Sequence, residues 1–326
     1  MESQQLIDKF GRKHTYLRIS LTDACNLRCV YCMPNEKVLV TPSAKLMQVD
    51  EIDFIARTFV DLGITKIRLT GGEPLLRKDA KQIIQNLAKL NVELSISTNA
   101  ILVNQYIDVF KEAGIKSLNI SLDTLSPQEF FTMTKRAYFD KIMSNIELLL
   151  SEGFHLKINI VVLKNHNENA ILDFIEWTRK TPLEVRFIEF MPFQGNSWKN
   201  EDVISFKDIL KTISEKYIFE RIGDSPNDTA KHYQVPGFLG KFAFITTITE
   251  PFCDSCNRLR LTADGKMKNC LFSTGEMDIL SAFRVGKDIK SLIQENVSSK
   301  KKERGGRFDS LSEILDENRS MIKIGG

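Results

Sequence analysis

Long apolar runs, cysteine and excess charge of either sign are all scarce in this sequence of 326 residues. No apolar run is long enough to span a bilayer, and the segment 1–14 lacks the apolar core of a secretory signal. The formal net charge is only +3, which excludes a nucleic-acid coat or a membrane-surface binder but leaves room for a local basic pocket. We therefore expect a cytoplasmic protein with neither a nucleic-acid nor a membrane partner.

Cysteine is used sparingly but in a clear pattern. Six cysteines are far too few for a disulfide-stapled secreted scaffold. They form two groups of three, which are Cys25, Cys29 and Cys32 near the start and Cys253, Cys256 and Cys270 near the end. Because the cytosol keeps thiols reduced, such short spacings favour metal ligands or catalytic groups over disulfides.

The hydrophobic pattern alternates short β-branched runs with longer amphipathic stretches, as repeated βα units do. Buried parallel strands are predicted at 16–21, 66–70, 93–98, 117–121, 156–162 and 185–189. Helices are predicted at 49–62, 79–90, 104–113, 139–151 and 168–179. Six units are fewer than the eight of a closed barrel, so we expect an incomplete TIM-like (β/α)6 barrel in the α/β class.

The rest of the chain is expected to cover the open side of that barrel. We place the core in residues 1–191 and a smaller C-terminal region in residues 192–326. This region has a predicted helix at 205–216, a loop at 223–240, and strands at 242–248 and 259–262. The lysine-rich run 297–307 is interpreted as a solvated, mobile loop without chemistry.

The first cysteine group directly follows the first predicted strand, where barrel folds place their active sites. Three closely spaced thiolates can hold three irons of a cubane cluster and leave the fourth iron open. Structural zinc is the alternative, with a fourth ligand drawn from His14, His155, His166 and His232. Structural zinc is a stronger alternative for the second group than for the first, because Cys253 and Cys256 form a CxxC pair and His232 is a conceivable fourth ligand.

Residues 25–32 (CNLRCVYC) resemble the CxxxCxxC signature of the radical S-adenosylmethionine (SAM) superfamily. The resemblance continues at later βα junctions, in segments 71–74 (GGEP), 121–123 (SLD) and 186–192 (RFIEFMP). More narrowly, the whole chain resembles the GTP 3′,8-cyclase family of molybdenum cofactor biosynthesis. The marks of this family are segment 253–260 (CDSCNRLR), Cys270 and the closing Gly325-Gly326.

The resemblance implies two [4Fe-4S] clusters, one on each cysteine group, with SAM on the open iron of the first and the purine of GTP on the second. The implied catalytic residues are Cys25, Cys29, Cys32, Arg258 and Arg260. The implied SAM contacts are Tyr31, Gly72, Ser121 and Met191. The implied substrate contacts are Arg18, Arg68, Ser97, Lys157, Arg258, Leu259 and Arg260. The two C-terminal glycines are expected to reach into the active site.

One local departure from the family pattern affects a loop. The segment 97–100 reads STNA, whereas the family has TTNG. Ser97 keeps a hydroxyl for the substrate, but Ala100 tolerates a positive backbone angle less well than glycine. The resemblance therefore leaves the shape of this loop in doubt.

By this resemblance the adenosyl radical abstracts the C3′ hydrogen of GTP, and the ribose radical attacks C8 to give 3′,8-cyclo-7,8-dihydro-GTP. A reducing electron donor and the next pathway enzyme, cyclic pyranopterin monophosphate synthase, are the implied partners. The oligomeric state stays open, with a homodimer among the options. Two alternatives remain: another radical SAM enzyme with an auxiliary cluster, such as a peptide maturase, and a non-catalytic zinc or electron-transfer protein.

Overall fold

The computed structural model describes residues 5–33, 39–225, 227–306 and 318–325. Within these ranges it contains one sheet, whose strands run in the order β12-β11-β10-β1-β2-β3-β4-β5-β6-β9-β8-β7. The first six strands are β1 Tyr16–Ser20, β2 Lys66–Thr70, β3 Glu93–Thr98, β4 Ser117–Ser121, β5 His155–Val162 and β6 Glu184–Glu189. The others are β7 Glu220–Arg221, β8 Lys231–Gln234, β9 Lys241–Ile245, β10 Arg258–Leu261, β11 Lys266–Lys268 and β12 Met277–Asp278.

Strands β1 to β6 pair in parallel with their sequence neighbours. The six predicted core strands agree with these bounds to within one residue. The described strands β1 and β6 do not pair with each other, so the core sheet stays open between them. The expected incomplete (β/α)6 barrel is confirmed.

Helices alternate with the core strands and pack over the sheet. They are α1 Val49–Asp61, α2 Ala80–Ala88, α3 Ile107–Glu112, α4 Pro127–Thr134, α5 Phe139–Ser151, α6 Ile171–Trp177, α7 Phe206–Ser214, α8 Ile279–Arg284, α9 Ile289–Ser298 and α10 Met321–Ile324. The predicted helix 104–113 is too long, because its first residues form a separate 3-10 turn at Val103–Gln105. No described helix is long and apolar enough to cross a membrane.

The C-terminal region extends the core sheet at both of its edges. Strand β10 pairs in parallel with β1, and β9 pairs in parallel with β6. The predicted loop 223–240 is wrong in part, because Lys231–Gln234 forms β8 against β9. Its middle residues, His232 and Tyr233, are buried there. The division of the chain at residue 191 stays a prediction.

The prediction of a solvated loop at 297–307 is wrong in part, since Lys301 and Lys302 are exposed but the residues before them are not all in a solvated loop. Helix α9 continues to Ser298, and Lys300 directly after it is only 2% exposed. The ammonium of Lys300 donates to the backbone oxygen of Arg258 at 3.1 Å, which draws this turn against the start of β10. Composition alone could not reveal this, because a buried lysine and a solvated one look the same in sequence.

The turn after β2 packs directly on the loop that carries the first cysteine group. The Gly72 amide donates to the Thr22 oxygen at 2.7 Å, and the Glu73 amide donates to the Ala24 oxygen at 2.8 Å. A Cβ atom on Gly72 would lie 2.4 Å from the Ala24 oxygen. Glycine is therefore required here by backbone packing within the protein.

We expect Gly72→Ala to lower the free energy of unfolding by about 1–3 kcal/mol, because the collision is with backbone atoms that cannot rotate away. Gly223→Ala is the matched control, since its added Cβ has no atom within 4 Å. Denaturant titration of both variants measures the difference. Equal stability of the two variants would contradict the packing argument.

Candidate active site

One cavity runs along the inner face of the parallel strands, from their amino ends to their carboxyl ends, and brings both cysteine groups together. It has a volume of about 450 Å³ and is lined by all six cysteines. The first group lies in the loop after β1, and the second lies before and after β10, which is hydrogen-bonded to β1. The pairing of these two strands explains how cysteines from opposite ends of the sequence come to share a site.

The loop of the first group is fixed from two sides. The turn after β2 holds its start, and backbone bonds from Arg28 to Thr134 and from Val30 to Met133, each 2.9 Å long, hold its middle. The Arg28 guanidinium also donates to the Cys25 oxygen at 2.6 Å. This loop is therefore held in place by backbone hydrogen bonds to the turn after β2 and to the end of α4, and by one side-chain hydrogen bond within the loop itself.

The donor chemistry of both groups fits iron–sulfur clusters. All six thiols are free of disulfides and line the cavity, where they offer the soft sulfur donors that iron–sulfur clusters use. Burial raises the pKa of Cys25 to about 11 and that of Cys32 to about 12, so these thiols need a nearby cation to ionise. Bound iron supplies such a charge.

The zinc alternative loses its proposed fourth ligand. Among the described residues no histidine lines the cavity. His14 contacts Asp8 at 3.1 Å, while His232 contacts Glu184 at 3.3 Å and Asp224 at 3.1 Å. Each of these two rings is thus engaged in a carboxylate contact, and neither lines the cavity.

The second cysteine group lies in a positive environment. Lys300 Nζ is 3.5 Å from the Cys256 sulfur, and Arg258 Nη2 is 3.8 Å from it. Burial raises the pKa of Cys256, but the charges of these two side chains outweigh burial and lower the pKa to about 6. The neighbouring cations therefore favour the thiolate form of Cys256.

Basic side chains from alternate strand positions form a wall of the cavity. These are Arg18, Lys66, Arg68, Lys157, Arg186, Arg258 and Arg260. Strand register explains the grouping, since Arg18 lies opposite both Arg68 and Arg260. Asp228 is the acidic residue among the described residues that line the cavity. We call these seven side chains the basic wall.

Five of the seven side chains of the basic wall have no ion pair with a described carboxylate, whereas Lys66 pairs with Glu93 and Arg186 pairs with Glu184. Burial and neighbouring cations lower the pKa of Arg68 to about 10 and that of Lys157 to about 8. Arg18 Nε and the Tyr16 hydroxyl are buried and have no hydrogen-bond partner among the described residues. Unpaired buried donors of this kind are costly unless a ligand satisfies them, and here the ligand must be an anion.

The residues expected to contact SAM line the cavity too: Tyr31, Gly72, Ser121 and Met191. The Tyr31 hydroxyl donates to Asp123 at 2.8 Å, and Asp123 also accepts from the Val161 amide at 2.9 Å. Burial raises the pKa of Asp123 to about 6. The contacts with SAM themselves stay predictions.

Two expected substrate contacts differ in where their side chains lie. Ser97 lines the cavity. The side chain of Leu259, in contrast, has no exposure and packs in the hydrophobic core, because strand alternation turns it away from the cavity that Arg258 and Arg260 face. A side-chain contact from Leu259 is therefore ruled out, and only its backbone is left for a ligand.

The chain end reaches the edge of the site. The Gly325 oxygen accepts from Arg260 Nη1 at 2.6 Å, and a Cβ on Gly325 would lie 2.7 Å from Ser20 Cβ. Gly326 lies outside the described residues, so its place in the site stays a prediction. Ala100 adopts the positive angle that the family glycine would favour, with φ of 63°.

Sequence reasoning missed five residues that line or support the site: Tyr16, Lys66, Asn159, Arg186 and Lys300. Three of them, Tyr16, Lys66 and Asn159, lie two positions from an expected contact on the same strand face. Tyr16 precedes Arg18, and Lys66 precedes Arg68, so the alternation of the strands was the signal that could have found them. No comparable signal marked Lys300.

Glu73 joins the turn after β2 to the turn after β3. Its carboxylate accepts from the Leu75 amide at 3.0 Å, the Thr98 hydroxyl at 2.9 Å and the Asn99 amide at 2.7 Å. Asn99 in turn donates to Asn26 at 2.6 Å, next to Cys25. Burial raises the pKa of Glu73 to about 7.

Two family models match the chain in sequence. The Radical SAM superfamily matches residues 19–178, and Molybdenum Cofactor Synthesis C matches residues 183–305. In fold, the chain is similar to SuiB of Streptococcus suis, solved bound to S-adenosylmethionine, with a TM-score of 0.62. The two are 16% identical, and the match covers 97% of this chain and 73% of that one. Fold, site and family match together define a radical SAM protein, the class that binds an iron–sulfur cluster and SAM.

Relatives in sequence identify the family within the radical SAM class to which the chain belongs. GTP 3′,8-cyclase of Peptoclostridium acidaminophilum is 40% identical over 98% of each chain. The mitochondrial GTP 3′,8-cyclase of Arabidopsis thaliana is 43% identical, over 99% of this chain and 84% of its own. The chain spans about half of molybdenum cofactor biosynthesis protein 1 of Dictyostelium discoideum, 52% of which it covers at 43% identity. The chain belongs to the GTP 3′,8-cyclase family, as its motifs led us to expect.

The raised pKa of Glu73 predicts a pH dependence of stability. The folded chain binds this proton more tightly than the unfolded chain, so the free energy of unfolding falls as pH rises from about 4.5 to about 7. Glu73→Gln should remove a decline on the order of 3 kcal/mol over this window. Urea titrations from pH 4.5 to pH 8 measure it, and an unchanged slope in the variant would contradict the assignment.

Proposed function

We propose that the chain is a GTP 3′,8-cyclase, which converts GTP to 3′,8-cyclo-7,8-dihydro-GTP at the start of molybdenum cofactor biosynthesis. The observation that carries this proposal is the single cavity in which two thiol groups share space with the basic wall. The first cysteine group and the residues around it suit SAM. The second cysteine group and the basic wall suit a nucleoside triphosphate. The family relationship supports the same reaction.

Cys25, Cys29 and Cys32 would hold a first [4Fe-4S] cluster, and Cys253, Cys256 and Cys270 would hold a second. The first cluster, when bound, supplies the electron that cleaves SAM to methionine and a 5′-deoxyadenosyl radical. Tyr31, Ser121 and Met191 line the cavity and would orient SAM for that step. The role of the second cysteine group would be to hold the guanine end of GTP.

The basic wall would bind and orient the triphosphate. Arginine offers a planar set of donors that matches phosphate oxygens, and the buried, unpaired Nε of Arg18 is one such donor without a partner in the described chain. Fixing the phosphates fixes the ribose relative to SAM, which is the main contribution a protein makes to radical chemistry on a bound substrate. Closing the cavity around both ligands also keeps water away from the radical.

The remaining expectations are part of the same proposal. A reducing electron donor would supply electrons to the cluster on the first cysteine group. The next pathway enzyme, cyclic pyranopterin monophosphate synthase, would take the product. The protein would work in the cytoplasm. A peptide maturase is less well supported, because a peptide carries less negative charge than a triphosphate to satisfy the five basic side chains of the wall that have no carboxylate partner.

The direct test is to incubate anaerobically reconstituted, reduced protein with SAM and GTP and to analyse the products by mass. We expect 5′-deoxyadenosine and an isomer of GTP. Alanine at Cys25, Cys29 and Cys32 should abolish SAM cleavage, whereas alanine at the second cysteine group should abolish GTP turnover alone. Continued cyclisation after loss of the second group would reject the proposed division of roles.

Metal analysis of the same samples separates iron from zinc. Each cubane cluster holds about four irons and four sulfides, so the reconstituted wild-type chain should contain about eight of each. Each triple variant should keep about half. One zinc ion at either cysteine group would overturn the proposed chemistry.

Arg258→Ala and Arg260→Ala should weaken GTP binding while leaving SAM binding nearly unchanged. A lost charge-assisted hydrogen bond costs about 1.5–3 kcal/mol, which corresponds to about a 10- to 150-fold rise in the Kd for GTP. Arg57→Ala is the control, because Arg57 is exposed on α1 and pairs with Asp53. Calorimetry with each ligand measures the effect, and equal losses for both ligands would contradict the assignment.

A further inference from the structure

Lys300 is a buried cation whose position is not explained by folding alone. It lies just beyond α9, where its amide donates to the Val297 oxygen at 3.0 Å. Its side chain leaves the surface and reaches the second cysteine group, with Nζ 3.5 Å from the Cys256 sulfur. The same nitrogen donates to the Arg258 oxygen at 3.1 Å.

No carboxylate of the described residues lies within ion-pair distance of Lys300. A buried ammonium without an anionic partner is costly, so a lysine in this position requires a negative group nearby. Its Nζ contacts the neutral Arg258 backbone oxygen and the Cys256 sulfur, and of these two the sulfur is the one that can carry a negative charge. The lysine is therefore directed at a metal-binding thiolate.

A second contact fixes the distance between the two loops involved. Arg12 Nη1 donates to the Cys253 oxygen at 2.8 Å and to the Lys302 oxygen at 2.7 Å. Arg12 Nη2 donates to the Lys301 oxygen at 2.8 Å. One guanidinium thus ties the cysteine loop to the turn that carries Lys300, and Asp8 holds that guanidinium through Nε at 2.6 Å. The lysine is held in place from outside the site.

We propose that Lys300 is a positioning residue for the second cysteine group, where it donates a hydrogen bond to the Cys256 sulfur and raises the reduction potential of the cluster bound there. Donors to cluster sulfurs stabilise the more negative, reduced state, and such outer partners commonly tune metal centres. This inference rests on the proposed function, since it requires a cluster on Cys253, Cys256 and Cys270.

The test uses the full-length chain reconstituted with iron and sulfide. Alanine at Cys25, Cys29 and Cys32 provides a background in which the second cysteine group is the one left to bind iron, so that its signal is isolated. In that background we compare Lys300→Met, Lys300→Arg and Lys302→Met by redox titration monitored by electron paramagnetic resonance. Lys302 is the matched control because its side chain is exposed.

Lys300→Met should shift the midpoint potential to more negative values, because it removes the donor and its charge while keeping similar bulk. Lys300→Arg should restore the potential most of the way to that of the background, and Lys302→Met should leave it unchanged. A Lys300→Met potential equal to that of the background overturns the inference. A shift of equal size in Lys302→Met overturns it as well, since the shift would then come from the loss of any nearby positive charge and not from the hydrogen bond to Cys256.

The same experiment distinguishes an error in the proposed function from an error in the role of Lys300. If the background chain binds no iron, or binds zinc, the proposed second cluster is wrong before any lysine variant is compared. If Lys300→Met does not fold, Lys300→Gln serves in its place, because it keeps an N–H donor without the charge. A smaller negative shift is then expected, and an unchanged potential in that variant overturns the inference equally.

Discussion

The structure depends on one electrostatic constraint, which is that many cations face inward around a cavity and find few anions there. Eight basic side chains line the space, the seven of the basic wall and Arg304, and Asp228 is the acidic residue among the described lining residues. Burial of so much like charge opposes folding unless a ligand or a metal centre compensates it. The buried cations therefore lower the free energy of unfolding of the unliganded protein while they create a site for an anion. The apolar core between the sheet and the helices has to offset this destabilisation.

The sequence predicted the parts of the molecule that follow from local pattern. Strands β2, β3 and β4 were placed at their observed bounds, because a buried parallel strand between amphipathic helices leaves a clear hydrophobic run. Both cysteine groups were likewise found by spacing alone, and the structure brings them into one cavity. The family assignment followed from the same motifs and is confirmed by the relatives.

What the sequence could not supply is the outcome of long-range packing. Lys300 looked like part of a solvated basic run, and only the contact between the turn after α9 and the second cysteine group buries it. Leu259 was grouped with its arginine neighbours by motif, whereas strand alternation directs its side chain into the core. Strand β8 was missed because its pairing with β9 is what makes it a strand.

The placement of β9 and β10 on opposite edges of the core sheet has a consequence for how the molecule is assembled. A ribosome completes strands β1 to β6 before either flanking strand exists. The cysteine group after β1 is thus synthesised first, and the cysteine group around β10 follows with Arg258 and Arg260. The cavity that both groups line therefore takes shape only once β9 and β10 have paired with the two edges of the core sheet, so its assembly needs contacts between distant parts of the sequence.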